Sequence, residues 1–250
     1  QLLWTYLIPA TMEGKATHNV QNAMFAAALA FSLGKSLDDI RHGLRTFNTT
    51  FFQAPGRMNV FDEHPFRVIL DYGHNAAAIA TIAQLVDRLD VIGRRLCVVA
   101  APGDRRDEDI FAIADEVAGH FDHYICKADD HRRGRGEDEV PRMLREQLLE
   151  AGVDADRIEV IPDEMQAVNA ALSMAQDGDL VVIFGDDIVR CWKQVAGHKV
   201  DGEEVPDEKP DKPVQGFVEP DPEAFTLEPG AELIRDERGV RIARINEESD

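Results

Sequence analysis

Blocks of apolar residues alternate with mixed segments along residues 55–199, and they predict strands and helices in strict succession. Short, nearly continuous apolar runs are typical of buried strands, and they cover residues 66–71, 96–101, 123–127, 158–161 and 180–185. Apolar residues with helical spacing follow each run, over residues 76–89, 107–118, 139–151, 164–175 and 188–195. Strands that are apolar throughout indicate a parallel sheet that helices cover on both faces. We therefore predict a Rossmann-like α/β domain with a mostly parallel sheet over residues 55–199.

The segment before this domain has a different pattern. Residues 18–33 are rich in Ala and predict a helix. Residues 36–44 predict a second, shorter helix, with Ser36 as its N-cap and Asp39 at the capping-box position. We therefore expect two helices, rather than further strand–helix units, ahead of the sheet.

Charge sets the C-terminal part of the chain apart. The 250 residues contain 27 Lys and Arg against 47 Asp and Glu, which gives a formal charge of −20. Residues 201–250 hold 16 acidic and 6 basic side chains and 6 of the 12 prolines. Residues 201–222 therefore predict an extended acidic linker, and residues 232–245 predict a small hairpin with its turn at Gly239. The acidic balance argues against a nucleic-acid partner, which needs Lys and Arg for its phosphates.

Composition narrows the class of protein further. Hydrophobic residues make up 44% of the chain, which is enough for a core. No run of about eighteen apolar residues occurs, so we expect no membrane-spanning helix. Cys97, Cys126 and Cys191 lack metal-ligand spacing, and the first two lie in apolar strand-like runs. These cysteines indicate reduced core residues of a cytoplasmic protein, and we expect no metal site built from them.

The beginning of the chain is unusual for a complete protein. It starts at Gln1 without a Met, and residues 1–9 indicate a strand that is already under way. A basic segment followed by an apolar run, as in a signal peptide, is missing. We expect the chain to be a piece of a longer protein.

Polar loops follow four of the predicted strands. They cover residues 71–75, 102–107, 129–135 and 185–187. In an open parallel sheet, ligands bind beyond the carboxyl ends of the strands. One polar loop is ordinary, but four at one edge of one sheet indicate a ligand site.

The first of these loops fits a nucleotide. Asp71 ends a predicted strand, where a carboxylate can accept hydrogen bonds from ribose hydroxyls. His74 lies at the start of the next helix, where exposed N–H groups and a His suit a phosphate. Asp71 and Asn75 are also typical of simple helix caps. Arg57 offers a guanidinium for phosphate charge, although an Arg after Pro-Gly more often belongs to a surface turn.

The Ala-rich helix opens with His18, Asn19 and Asn22. Asn is a poor helix former, so two Asn residues on one face need a reason. Capping explains one of them, and the other could contact a base or a phosphate.

The loop after the second long strand has mixed charges at a helix start. Asp104 could bind the amine of a zwitterionic substrate, and Arg105 or Arg106 its carboxylate. The alternative is a solvated loop with Asp107 as the N-cap. A later basic cluster, Arg132 to Arg135, either attracts an anion or is a solvated loop.

Several common sites are missing from the sequence. It has no G-x-x-x-x-G-K-[ST] phosphate loop, no G-x-G-x-x-G after a strand and no G-x-S-x-G elbow. The sequence therefore argues against a dinucleotide-dependent dehydrogenase.

Taken in order, the motifs resemble the Mur ligase family. They are His18-Asn19-x-x-Asn22, Pro55-Gly56-Arg57, Asp71-Tyr72-Gly73-His74-Asn75 and Gly103-Asp104-Arg105. Within this family the chain is most similar to the C-terminal Mur-like part of the cyanophycin synthetases. That narrower resemblance depends on residues 102–110, 133–135 and 185–186, and the whole resemblance covers residues 8–196.

The resemblance implies an ATP-dependent amide ligase that uses Mg²⁺. In such enzymes ATP phosphorylates a carboxylate, and an amine attacks the acyl phosphate. The implied substrates are ATP, arginine and a poly-aspartate chain whose side-chain carboxylates receive the arginine. Residues 1–50 would end the ATP-binding central domain, residues 55–199 would form the C-terminal domain, and residues 200–250 would be an acidic tail. A homo-oligomer is also implied.

Residue roles follow from the same resemblance. It makes His74 the catalytic residue, near the γ-phosphate. It assigns ATP binding to Asn22 near adenine, to Arg57 and Asp71 near ribose and phosphates, and to His18 and Asn75. It assigns contacts with the incoming amino acid to Asp104, Arg105 and Arg106.

The missing phosphate loop departs from the family pattern. We expect that loop, and an ATP-grasp region, to precede Gln1, so the isolated chain should be inactive. One alternative is an ordinary Mur ligase that acts on a peptidoglycan precursor. The other is a non-catalytic Rossmann-like binding module, which the missing loop favours if the chain is complete.

Overall fold

The computed structural model describes residues 2–199 and the backbone of residues 231–236 and 239–244. The chain divides into two compact units, Gln1–Glu203 and Glu204–Asp250, and each is described by itself. The boundary between a central domain in residues 1–50 and a C-terminal domain in residues 55–199 stays a prediction.

A six-stranded sheet forms the centre of the first unit. Its strands are β1 (Asn59–Phe61), β2 (Arg67–Asp71), β3 (Arg95–Val99), β4 (His123–Cys126), β5 (Ile158–Val160) and β6 (Leu180–Phe184). They are ordered β1-β2-β6-β3-β4-β5. Only β1 is antiparallel to its neighbour, so the predicted mostly parallel sheet is confirmed. The sequence pattern missed β1, because three residues beginning with Asn carry little strand signal.

Five helices pack on this sheet. They are α3 (Ala76–Val86), α4 (Asp107–Val117), α5 (Glu139–Glu150), α6 (Glu164–Met174) and α7 (Ile188–Gly197). Apolar residues of α3, α4 and α5 share one buried cluster with one face of the strands. Residues of α6 and α7 share a second cluster with the opposite face. The predicted coverage of both faces is confirmed, and each predicted element is present with ends shifted by a few residues.

The central strand β6 shows why its sequence is apolar throughout. Val182 packs into one cluster and Ile183 into the other, and both side chains are fully buried. Each such side chain stabilises the fold by about 1.5–3 kcal/mol. A polar residue at either position would face a helix layer rather than water.

Two helices precede the sheet, α1 (Thr17–Ser32) and α2 (Leu37–Thr46). The capping box at the start of α2 is confirmed, because Ser36 Oγ accepts a bond from the Asp39 amide at 3.1 Å. Helix α1 has no buried residue, and Met24, Phe25 and Leu29 are each about two-thirds exposed. Just before α1, Lys15 forms an exposed ion pair of 2.9 Å with Asp90.

The predicted strand at residues 1–9 is wrong. Thr5–Leu7 and Pro9–Thr11 are single turns of 3₁₀ helix. Pro9 lacks a ladder N–H and suits the first position of a helical turn. The buried Thr11 hydroxyl lies 2.7 and 2.8 Å from the carbonyl oxygens of Thr5 and Ile8, so its one proton can be shared between them and close these turns.

The second unit contains a two-stranded antiparallel hairpin, β7 (Ala231–Asp236) and β8 (Gly239–Arg244). This hairpin lies where the sequence predicts one, with Gly239 as the first residue of β8 rather than in the turn. The predicted linker over 201–222 lies outside the described residues. Among the residues that are described, no helix is long and apolar enough to cross a membrane.

Candidate functional site

The four polar loops meet at the carboxyl edge of the sheet, as predicted. Together they line a cavity of about 180 Å³. The main polar residues lining it are His74 after β2, Arg105 after β3, Asp129 and Arg133 after β4, and Asp186 after β6. We call this cavity the polar cavity. The sequence could predict that these loops come together, because the strands of a parallel sheet all end at the same edge.

Asp71 ends β2 and lies beside the polar cavity. Its Oδ2 accepts a hydrogen bond from the Met58 amide at 2.8 Å. Burial raises the pKa of Asp71, and the Met58 amide and the Arg57 charge oppose that rise. Asn75 is the N-cap of α3 and accepts from the Ala78 amide at 2.9 Å. The capping alternative therefore holds for Asn75 and not for Asp71.

A sharp turn presents Arg57 next to Asp71. Gly56 and Met58 both have positive φ, 71° and 50°, which the glycine adopts without strain. The buried Asn59 side chain accepts from the Gly56 amide at 2.7 Å and donates to two loop carbonyls at 2.9 Å. The turn is thus fixed from inside, while the Arg57 side chain is exposed.

His18 belongs to the same group. Burial lowers the pKa of His18, whereas the nearby Asp71 carboxylate raises it. Its Nδ1 is buried and has no hydrogen-bond partner among the described residues. His18, Arg57 and Asp71 therefore form one polar group, and a ligand could supply the bond that Nδ1 lacks.

Asn22 lies one helical turn beyond His18 but lines a different cavity. That groove, between α1 and α2, has a volume of about 470 Å³ and mostly apolar walls, including Ile8 and Ile40. Asn19 donates to the Ala10 carbonyl at 2.7 Å, and Asn22 donates to Asn19 Oδ1 at 3.2 Å. The structure does not bring Asn22 to the polar cavity.

His74 stands at the entrance to α3. Its Nδ1 lies 3.1 Å from the Tyr72 carbonyl. When Nδ1 carries the proton and donates to this carbonyl, Nε2 is left as an acceptor. His74 is half-buried and borders the N-terminus of an eleven-residue helix, whose amides favour an anion.

The three residues expected to face the amino acid have different partners. Asp104 pairs with Arg133 at 2.7 Å. Arg106, rather than Asp107, is the N-cap residue of α4, and its guanidinium pairs with Asp109 at 2.9 Å. Arg106 does not line the polar cavity. Only Arg105 lines it with a guanidinium free of hydrogen bonds and ion pairs within the described part of the chain.

Arg135 joins the loops after β3 and β4. It donates to the carbonyls of Gly103 and Arg105, at 3.1 and 2.9 Å, and pairs with Asp107 at 2.7 Å. The two loops also touch directly, since a Cβ on Gly103 would lie 2.3 Å from the Arg132 carbonyl oxygen. Within the basic cluster, Arg135 therefore joins the two loops, whereas Arg132 and Arg133 are exposed.

A buried ion pair behind the polar cavity was missed by sequence reasoning. Lys127 follows β4 with a fully buried side chain, and its Nζ lies 2.9 Å from Glu164 Oε1. Arg190 on α7 also pairs with Glu164. Burial would raise the pKa of Glu164, but Lys127, the Asp186 amide and Arg190 lower it to about 2. A Lys that ends an apolar strand was the available signal, but its partner lies far along the chain.

Comparison with known proteins now identifies the fold. The family model described as Mur ligase, glutamate ligase domain, matches residues 56–186, just over half of the chain.

The chain belongs to the Mur ligase family.

Relatives of this Mur ligase domain include two cyanophycin synthetases. The one from Trichormus variabilis is 38% identical over 203 residues, which are 81% of this chain and 22% of the relative. The one from a Nostoc species is 39% identical over 188 residues, 75% of this chain and 21% of the relative. The chain thus spans about a fifth of the length of the curated relatives that it matches.

Solved structures share the fold of this Mur ligase domain. E. coli FolC in complex with DHPP and ADP has a TM-score of 0.54 and 26% identity, over 70% of this chain and 38% of FolC. The UDP-N-acetylmuramate–alanine ligase MurC of Thermotoga maritima has a TM-score of 0.53 and 18% identity, over 72% of this chain and 37% of MurC. The second match supports the architecture alone.

The family resemblance implies Mg²⁺, but the described residues do not provide a complete set of ligands for this ion. Within residues that the structure describes, no three His, Cys, Asp or Glu side chains are grouped to hold a metal ion. We therefore derive no catalytic step through a metal bound by these residues.

Proposed function

We propose that this domain works in an ATP-dependent amide ligase that attaches arginine to side-chain carboxylates of a poly-aspartate chain. The observation that carries the proposal is the polar cavity. Four loops bring charged side chains together there, next to the polar group of His18, Arg57 and Asp71. Identity also supports it, at 35–39% for five cyanophycin synthetases against 29% and 31% for two diaminopimelate ligases.

The charges of the polar cavity suit an amino acid with a cationic side chain. Arg105 offers a free guanidinium for the α-carboxylate. Asp129 and Asp186 offer carboxylates for a guanidinium. Asp104 acts indirectly, because its carboxylate is paired with Arg133. Arg106, which is paired with Asp109, has the weakest support of the proposed substrate residues.

The nucleotide belongs on the adjoining side, at His18, Arg57 and Asp71. In the proposed first step an aspartate carboxylate oxygen attacks the γ-phosphorus of ATP, and ADP leaves. His74 and the amides at the start of α3 stabilise the transferred phosphoryl group. The arginine amine then attacks the acyl carbon, loses a proton, and phosphate leaves. Asn75 caps α3 and so orients these amides, while Asn22 is proposed to contact adenine.

The proposed cofactor is Mg²⁺, which ATP brings with its own phosphate oxygens as ligands. We also propose that residues 1–50 end a central domain, since the apolar side chains of α1 are exposed. A homo-oligomer and a cytoplasmic location complete the proposal. The buried, unpaired cysteines Cys97, Cys126 and Cys191 support a reducing compartment.

The test uses the protein expressed from its complete reading frame. His74→Ala and Arg57→Ala should each reduce arginine addition by about 100-fold or more and leave aspartate addition intact. Arg67→Ala is the matched control, because Arg67 is also exposed but lies at the other end of β2. Equal loss of both activities would show that His74 and Arg57 serve the fold instead. A wild-type protein that accepts diaminopimelate and not arginine would favour the ordinary Mur ligase.

A further inference from the structure

We propose that Glu164 is a positioning residue that fixes the two loops carrying Asp129 and Asp186 in the polar cavity. The inference rests on the proposed function, because it assigns these loops to the amino-acid substrate. Glu164 itself does not line the polar cavity. Its effect on the reaction therefore passes through other residues.

The first link joins Glu164 to the loop after β6. Glu164 is the first residue of α6, and its side chain is fully buried. Its Oε1 accepts from the Asp186 amide at 2.7 Å, and its Oε2 accepts from the Asp187 amide at 3.2 Å. One carboxylate thus holds two successive amides of the loop that presents Asp186.

The second link reaches the loop after β4. Arg190 forms an ion pair with Glu164. It forms a second ion pair, of 2.7 Å, with Asp130. The Asp130 amide donates to Asp186 Oδ2 at 3.0 Å. Glu164, Arg190, Asp130 and Asp186 therefore form a closed ring of contacts that ties the two loops together.

Lys127 makes the arrangement sensitive to the charge of Glu164. Its buried Nζ lies 2.9 Å from Glu164 and 3.8 Å from Asp129. If Glu164 loses its charge, Asp129 becomes the next carboxylate for a buried cation that cannot remain unpaired. Lys127 would then draw Asp129 out of its position in the polar cavity. Within the described residues, none of the hydrogen bonds and ion pairs of this ring reaches His74, so the effect should fall on the amino acid and not on ATP.

The kinetic test compares wild type with Glu164→Gln in the protein expressed from its complete reading frame. The KM for arginine should rise about tenfold or more, while the KM for ATP and kcat change less than about threefold. Asp163→Ala is the matched control. Asp163 caps the same helix by accepting from the Gln166 amide at 2.8 Å, and in the part of the chain that the structure describes its side chain makes no hydrogen bond or ion pair with either loop. It should lower the melting temperature and leave the KM for arginine unchanged.

A milder variant covers the case in which Glu164→Gln does not fold. Asp130 is exposed, so Asp130→Asn removes only its pair with Arg190 and should raise the KM for arginine about threefold. Unchanged KM values for arginine in folded variants, or equal rises for arginine and ATP, would overturn the proposal.

Hydrogen exchange separates this inference from the proposed function. Amides of residues 129–133 and 185–187 should exchange faster in Glu164→Gln and at the wild-type rate in Asp163→Ala. If wild type adds no arginine, the proposed function fails and exchange alone decides whether Glu164 fixes the loops. Unaltered exchange in both loops refutes the positioning role.

Discussion

Asp71 combines a cost in stability with a place in the candidate nucleotide site. Its carboxylate is half-buried and has a raised pKa, because burial outweighs the Met58 amide and the Arg57 charge. A carboxyl whose pKa is raised on folding contributes stability when protonated, and the contribution is lost as pH rises through that pKa. At neutral pH the ionised Asp71 therefore opposes folding.

The expected result of Asp71→Asn follows from this sign. The amide oxygen of Asn can still accept from Met58, but its NH2 group cannot accept from the Gly73 amide as a carboxylate oxygen does. The gain from removing the charge is thus partly offset, and the free energy of unfolding should change by less than about 1 kcal/mol. The KM for ATP should rise about tenfold, because the ribose and Arg57 lose a carboxylate. Urea unfolding at pH 7 and steady-state kinetics measure the two effects. A large loss of stability with normal ATP use would make Asp71 a structural residue.

At the scale of elements, the apolar runs predicted the sheet and its helices because those runs are buried. The same reasoning placed the four loops at one edge, since parallel strands end together. It could not place Lys127 with Glu164, because residues on separate elements meet only when the chain folds. It also missed that Asp104 pairs with Arg133 and Arg106 with Asp109. From the sequence alone, each partner could equally well have been a solvent-exposed side chain.

Gly103 tests the contact between the loops after β3 and β4. A Cβ there would lie 2.3 Å from the Arg132 carbonyl oxygen, which is backbone and cannot move alone. Gly103→Ala should therefore destabilise the fold by about 1–3 kcal/mol and raise the KM for arginine. Gly119→Ser is the control, because an added Cβ at Gly119 has no neighbour within 4 Å. It tests the effect of replacing a glycine where no second loop is in the way. Arginine kinetics that stay normal in Gly103→Ala would show that the loops can separate without harm.

At the scale of the whole molecule, two apolar clusters hold the first unit together. Both apolar clusters of the first unit are built from residues between Ala16 and Val195. The whole chain has a formal charge of −20, so its unfolding at low pH is informative, because most titrating groups are acidic.

The buried Glu164 and the half-buried His18 determine how the free energy of unfolding depends on pH. The pKa of Glu164 falls from 4.5 to about 2 on folding, so its contribution of roughly 3 kcal/mol is complete above pH 4.5. That contribution is lost as pH falls from 4.5 toward 2. The pKa of His18 is lowered from 6.5, so the unfolded chain binds this proton first and stability declines below pH 6.5.

Urea unfolding across pH 7 to pH 3 measures this dependence. The difference in unfolding free energy between wild type and Glu164→Gln should be constant above pH 4.5 and shrink below it. A difference that is undiminished at pH 3 would show that the Glu164 carboxylate is not the source, because part of its contribution should already be lost there. His18→Asn should remove only the decline that begins near pH 6.5.

The contact of Gly103 with Arg132 also bears on how the cavity can change over generations. Arg135 and the contact of Gly103 with Arg132 join the loops after β3 and β4. A single substitution that changes the size of one loop therefore clashes with the other loop, which has not changed. Variation in substrate choice should accumulate as correlated pairs across the two loops. A library meant to retarget the enzyme should randomise positions 103–105 together with 132–135, and separate libraries should yield mainly unfolded clones.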